Sequence, residues 1–207
     1  MKSKNVTLNI IGLIFLITYI LNAIYIISWK DYSAFLWGCY IVLPLTLIGI
    51  FRRNSSLILS QLIIFAIPDL LWTIDFFSIL FTGNSLLKIS LVSRFFELDL
   101  FGKIVRLQHL YAIPLAIVSL SFLKIKKNYK ILLISLAEII IIALLTVLIA
   151  PDRNINCLPT NKCTSFSPLN FLPYPLVWII FAFSFITISY LLITALPFVK
   201  KKKEEGI

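Results

Sequence analysis

Apolar residues fall into six long stretches separated by short polar breaks. Within each stretch the run is continuous and rich in Leu and Ile. A membrane barrel strand would alternate with a period of two, so continuous runs predict helices. The predicted helices cover about 6–28, 33–51, 55–81, 101–123, 131–150 and 171–198. A spanning helix needs about 20 mostly apolar residues, and most of these stretches reach that length. Pro44 lies inside the second. Pro68 interrupts the third, removing one backbone donor and predicting a kink. The expected fold is all-α: one integral, multi-pass membrane domain over 1–207, a bundle of six transmembrane helices.

One segment has a different pattern. Between 86 and 98, Ser90, Ser93, Arg94 and Glu97 share one helical arc, with Leu87, Leu91, Phe95 and Leu98 opposite. That periodicity predicts an amphipathic helix lying in the membrane interface before helix four. Further stripes at helical spacing join Thr18, Asn22 and Tyr25 on helix one, and Ser184, Thr187 and Tyr190 on helix six. Both stripes are expected to face the bundle interior, where side chains hydrogen-bond between helices.

Composition agrees with lipid as the solvent. Hydrophobic residues make up 60% of the chain and the mean hydropathy is +1.00, more apolar surface than a soluble domain of this length hides. The net charge of +10 raises nucleic acid as a partner. The basic residues cluster in the short breaks instead, a pattern of topology and of contact with anionic headgroups, so membrane lipids and not nucleic acid are the expected partners. One side of the bundle would hold twelve Lys and Arg residues, among them Arg52, Arg53, Lys130 and Lys200–Lys203, against seven on the other. Both termini are therefore expected in the cytoplasm and the protein in the cell membrane. The first apolar run, Val6 to Ser28, is too long for a cleaved signal core and reads as the first span.

Ionisable residues inside the spans carry the candidate chemistry, because a charge at the bilayer centre costs roughly 2.5–3.5 kcal/mol or more. Helix three reads Pro68-Asp69-Leu70-Leu71-Trp72-Thr73-Ile74-Asp75-Phe76. Asp69 and Thr73 share a face, whereas Asp75 lies about 120° around and about 9 Å further along. Helix four carries the single histidine, in Arg106-Leu107-Gln108-His109. By depth, His109 meets Asp69 or Asp75, and Arg106 neutralises one of them. Glu138 of helix five arrives from the cytoplasmic side near mid-depth, and Asn22, Trp72 and Gln108 complete a candidate polar cluster. Cys39 reads as a small packing residue. Cys157 and Cys163 lie in a proline-rich outer loop, where an oxidising compartment allows a disulfide; two free thiols are the alternative. That loop is a candidate cap over the outer ends of helices three and four. One histidine and scattered carboxylates do not make a histidine-rich metal site, and no cofactor motif is present, so neither metal nor cofactor is expected.

The run His109-x4-Pro114-Leu115, in a six-helix chain of this size, resembles the androgen-induced membrane hydrolase family. It is similar also to small bacterial membrane proteins related to transmembrane protein 164. Pro68-Asp69-x2-Trp72-x2-Asp75-Phe76 resembles a run in prokaryotic membrane proteins of unknown function. The hydrolase resemblance implies cleavage of fatty-acid esters by a threonine and a histidine. The histidine falls on His109. The threonine falls on Thr73, followed by Ile74-Asp75 but one helix late, or on Thr46, on the right helix without the acid. The leading expectation is an intramembrane enzyme acting on a lipid or other hydrophobic small molecule, with His109 as base or acid, Asp75 or Asp69 orienting it, and Thr73 or Thr46 as nucleophile. A proton-coupled carrier using Asp69, Asp75 and Glu138, and a non-catalytic membrane subunit, are the other two classes.

Overall fold

A computed structural model describes residues 2–123, 125–153, 155–156, 158, 174–197 and 199–201. The chain begins with α1, Lys2–Ser28, followed by a 3-10 turn at Tyr32–Leu36 and α2, Gly38–Phe51. Then come α3 (Ser55–Thr82), a single turn α4 (Ser90–Ser93) with a 3-10 turn at Arg94–Glu97, and α5 (Leu100–Arg106). The last helices are α6 (Gln108–Phe122), α7 (Tyr129–Ile149) and α8 (Tyr174–Thr194). Two three-residue strands, β1 (Ile125–Lys127) and β2 (Val199–Lys201), pair in parallel with Ile125 opposite Val199.

Local chemistry explains the boundaries. Asn54, Asp99 and Asn128 stand before α3, α5 and α7, and each side chain accepts an orphan amide of the first turn: Leu57 N at 3.1 Å, Gly102 N at 2.7 Å and Lys130 N at 3.0 Å. Gly83 closes α3 in the left-handed conformation, φ 72°, where a Cβ would be strained.

Helix α3 is the central post. It packs against α2, α6, α7 and α8, and its residues Ile58 to Phe65 are buried without a break. The outer helices present Ile10, Ile17 and Ile24 of α1, Leu144 and Leu148 of α7, and Leu191 and Leu192 of α8 on the outside. So large an apolar exterior is untenable in water and ordinary in lipid. Five helical segments are long and apolar enough to cross a membrane: Lys4–Ser28, Ser55–Thr82, Leu100–Phe122 (α5 and α6 together), Tyr129–Ile149 and Pro175–Thr194.

Several expectations need correction. The second helix does not run from 33; it starts at Gly38 after the extended residue Trp37, so its 14 residues cover only about 21 Å. Pro68 does not interrupt the third helix, which is continuous through it. The fourth helix is divided at Leu107, where Leu110 N bonds the Leu107 carbonyl at 2.9 Å, a tight three-residue step. The sixth ends at Thr194 rather than 198, and 171–173 lie outside the described residues. The 86–98 segment is not a continuous surface helix. It is two single turns, and Val92 and Phe95 plug into Trp72 and Phe76 of α3. Aromatic packing of that plug overrides the amphipathic periodicity. On α8 it is Ile186, Ser189, Tyr190 and Ile193 that are buried, while Ser184 and Thr187 are exposed. The stripe on α1 does face inward: Thr18, Asn22 and Tyr25 are all buried.

The two ends of the bundle are tied differently. At the basic end, Arg53 Nη2 donates to Asn9 Oδ1 at 2.6 Å, joining the α2–α3 turn to the start of α1. At the opposite end, Asn156 clamps the entry to α2. Its Oδ1 accepts from Gly38 N at 2.7 Å, and its Nδ2 donates to the Leu36 carbonyl at 2.7 Å and to Thr146 Oγ1 at 3.1 Å. Trp178 Nε1 of α8 donates to the Asn156 carbonyl at 2.9 Å.

Candidate active site

Halfway along α3, about 21 Å from its start, Asp69 points at α6. His109 lies in the first turn of α6, and its Nδ1 stands 2.5 Å from Asp69 Oδ1. A carboxylate accepts only, so Nδ1 carries a proton, and in the neutral imidazole Nε2 is then the acceptor. Trp72, one turn beyond Asp69 on α3, covers the imidazole with ring centroids 4.8 Å apart. Thr73 Oγ1 donates to the His109 carbonyl at 3.2 Å, holding the first turn of α6 from behind. The imidazole is therefore fixed by its carboxylate, by an aromatic face and through its backbone.

From α2, Cys39 comes to the same cavity as the imidazole. Cys39, Asp69, Gln108 and His109 line one small cavity, closed by Val42, Leu43, Phe65 and Ala112. It has room for about one water-sized group. Cys39 is in the first turn of α2, beside the Gly38 amide that Asn156 holds. Asn156 thus acts on the candidate site by placing α2; residues 159–173, the greater part of the candidate cap, lie outside the described residues. Cys157 and Cys163 lie outside the described residues.

Other polar residues of the spans are placed elsewhere. Asp75 is fully buried and faces the segment that folds back after α3. Its oxygens accept from Ser85 Oγ at 2.9 and 2.8 Å, Leu87 N at 2.8 Å and Ile89 N at 3.1 Å. It makes no contact with His109 among the described residues. Arg106 pairs with neither aspartate, and its buried Nε has no partner among the described residues. Thr46 is buried with an unpartnered hydroxyl, seven residues beyond Cys39 and so about 10 Å along α2, outside the cavity lining. Glu138 belongs to a separate cluster toward the basic end: Gln61 Nε2 donates to Glu138 Oε2 at 2.9 Å, and Ser135 Oγ donates to the Ser60 carbonyl at 3.2 Å. Asn22 Nδ2 donates to the Thr18 carbonyl at 2.8 Å and to Gln108 Oε1 at 2.7 Å, which carries the α1 stripe into the cavity wall.

Sequence reasoning brought Asp69, Trp72, Thr73, Gln108 and His109 into one neighbourhood and missed Cys39. The overlooked signal is position: a nucleophilic side chain at the start of an apolar helix, where orphan amides favour negative charge. Among the described residues, no three metal-binding side chains converge. No protein-family model, curated protein or solved structure matches this chain.

Proposed function

We propose that this protein is a multi-pass membrane enzyme that cleaves or transfers the acyl groups of hydrophobic esters, with Cys39 as nucleophile. The observation that carries this reading is the meeting of a thiol, an imidazole and a carboxylate, from three different helices, at one cavity within the spans. A thiol is activated by an adjacent base that is itself held by a third group. Here Asp69 holds the imidazole by Nδ1, so Nε2 takes the proton of the Cys39 thiol. The sulfur attacks the acyl carbonyl carbon and the carbonyl π pair moves onto oxygen. Collapse breaks the ester C–O bond, and the leaving alkoxide takes the proton from Nε2. The acyl thioester then passes to water or to an acceptor hydroxyl, deprotonated in turn by His109. The cavity fits the reacting carbonyl and not a whole acyl chain, so the chain approaches from the lipid.

The same reading retains the resemblance to the androgen-induced hydrolase family, with His109 in the histidine's place and a thiol doing the work of the threonine. It places both termini in the cytoplasm, following the basic residues, and the protein in the cell membrane. The turn at Tyr32–Leu36 and α2, end to end about 31 Å, supply a sixth crossing. The carrier reading needs acids along one path, whereas Asp75 is enclosed by its loop and Glu138 pairs with Gln61.

The test uses the full chain in lipid nanodiscs with p-nitrophenyl octanoate as acyl probe. Wild type is expected to release nitrophenol and to carry an octanoyl adduct on Cys39. Cys39→Ala and His109→Ala are expected to lose at least about 10³-fold in turnover. Turnover that survives Cys39→Ala and disappears in Thr46→Ala or Thr73→Val would replace the thiol with a threonine.

A further inference from the structure

The acyl-transfer reading leaves one cavity-lining polar group without a task, the amide of Gln108. Its orientation is set by its neighbours. The Thr18 carbonyl accepts only, so Asn22 must turn its nitrogen toward it, at 2.8 Å. The second hydrogen of that nitrogen goes to Gln108 at 2.7 Å, which obliges Gln108 to present Oε1. Turning either amide over would set acceptor against acceptor or donor against donor. With Oε1 held in this way, Gln108 Nε2 is the end of the amide left over. Gln108 is 2% exposed, and it lines the cavity with Cys39 and His109. A donor inside the spans finds few acceptors besides what enters the cavity, so a carbonyl oxygen there would serve it.

We propose that Gln108 Nε2 is the oxyanion donor for acyl transfer at Cys39, a role that rests on the reading of Cys39 as nucleophile. When sulfur adds to the carbonyl carbon, the carbonyl oxygen gains a full negative charge. A donor already oriented toward that oxygen stabilises the transition state without reorganising. The Cys39 backbone amide is a second donor. At the first turn of α2 it has no acceptor among the described residues, whereas Gly38 N bonds Asn156 and Tyr40 N bonds the Trp37 carbonyl. A neutral amide suits this position, because a cation there would compete with His109 for Asp69. Asn22 is the positioning residue: it lies outside the cavity lining and fixes which end of the Gln108 amide is left free.

Two rates at the same sulfur separate this role from a structural one. Acylation of Cys39 by p-nitrophenyl octanoate passes through an oxyanion, whereas alkylation by iodoacetamide does not. Gln108→Met removes the donor. Gln108→Glu keeps an oxygen for Asn22 and serves if the first variant fails to fold. The expected result is a fall in acylation rate of about 10²–10³-fold, carried by kcat with KM little changed, and alkylation within about twofold of wild type. Asn22→Ala should give a smaller fall of the same kind. Equal acylation in wild type and both variants overturns the role of Gln108 and leaves Cys39 as nucleophile. Parallel falls in acylation and alkylation also overturn it, in favour of packing. A wild-type protein that never acylates at Cys39 overturns the nucleophile and the oxyanion donor together.

Discussion

Asp69 and Asp75 are six residues apart on one helix, both buried, and they have opposite surroundings. Asp75 meets donors that cannot change charge: two backbone amides and a serine hydroxyl, all from the loop that turns back over it. Asp69 meets one group that can gain a proton, and that group lines a cavity together with Cys39. A buried carboxylate is tolerated when it is hydrogen-bonded, and both are. Saturation by fixed donors makes a structural pin. A single titratable partner beside an opening is the arrangement that the proposed acyl transfer requires.

Substitutions at these two positions should therefore fail in different ways. Asp69→Asn is expected to lower ester turnover by about 10³-fold with a melting temperature close to wild type, because the carboxamide no longer selects the imidazole tautomer. An Asp69→Asn protein that turns over normally would remove the carboxylate from the mechanism. Asp75→Ala is expected to show the converse. It strands the half-buried donors of Ser85, Leu87 and Ile89, costs about 2 kcal/mol of stability and loosens the Val92–Phe95 plug, leaving turnover per folded molecule within a few-fold of wild type. Thermal unfolding in nanodiscs, paired with activity per folded molecule, reads both quantities. If Asp75→Ala melted like wild type, the distinction between the two acids would collapse.

Two smaller effects sharpen the same contrast. Asn156→Ala removes the clamp on Gly38 without touching the cavity, so Cys39 shifts relative to His109. Turnover should drop about 10-fold, and iodoacetamide labelling of Cys39 should slow with it. Unchanged labelling would show that α2 holds its place unaided. Glu138→Gln should change turnover by less than about twofold and stability by less than about 1 kcal/mol, since Gln61 keeps an acceptor and the unpartnered carboxylate oxygen becomes an amide. A large loss of activity there would connect the Gln61–Glu138 cluster to the site and revive a path through the bundle.

Much of the helical layout was legible because lipid imposes a local rule. Each spanning segment must satisfy its own backbone and present apolar side chains, so α1, α3 and α7 can be read within a few residues from runs of Leu and Ile. The inward stripe of Thr18, Asn22 and Tyr25 was legible for the same reason. On α8 the corresponding stripe is split, with Tyr190 buried and Ser184 and Thr187 exposed. The 86–98 segment misled because periodicity reports a face without saying what it packs on, and that face packs on Trp72 and Phe76.

The residue types at the candidate site, and their approximate depths, follow from the chain alone. Hydropathy marks where water ends, and any ionisable group inside that boundary stands out. Depth left His109 with a choice of two aspartates, and that choice depended on a loop fold. Residues 85–89 turn back and occupy Asp75, which leaves Asp69 for the imidazole. Cys39 depended on tertiary packing still more. A thiol in an apolar run has no periodic signature, and its meaning comes from a side chain 70 positions away on another helix and from an asparagine that pins the helix start. Local composition encodes the solvent of each segment, whereas reactivity needs contacts between segments, and those exist only once the helices have packed.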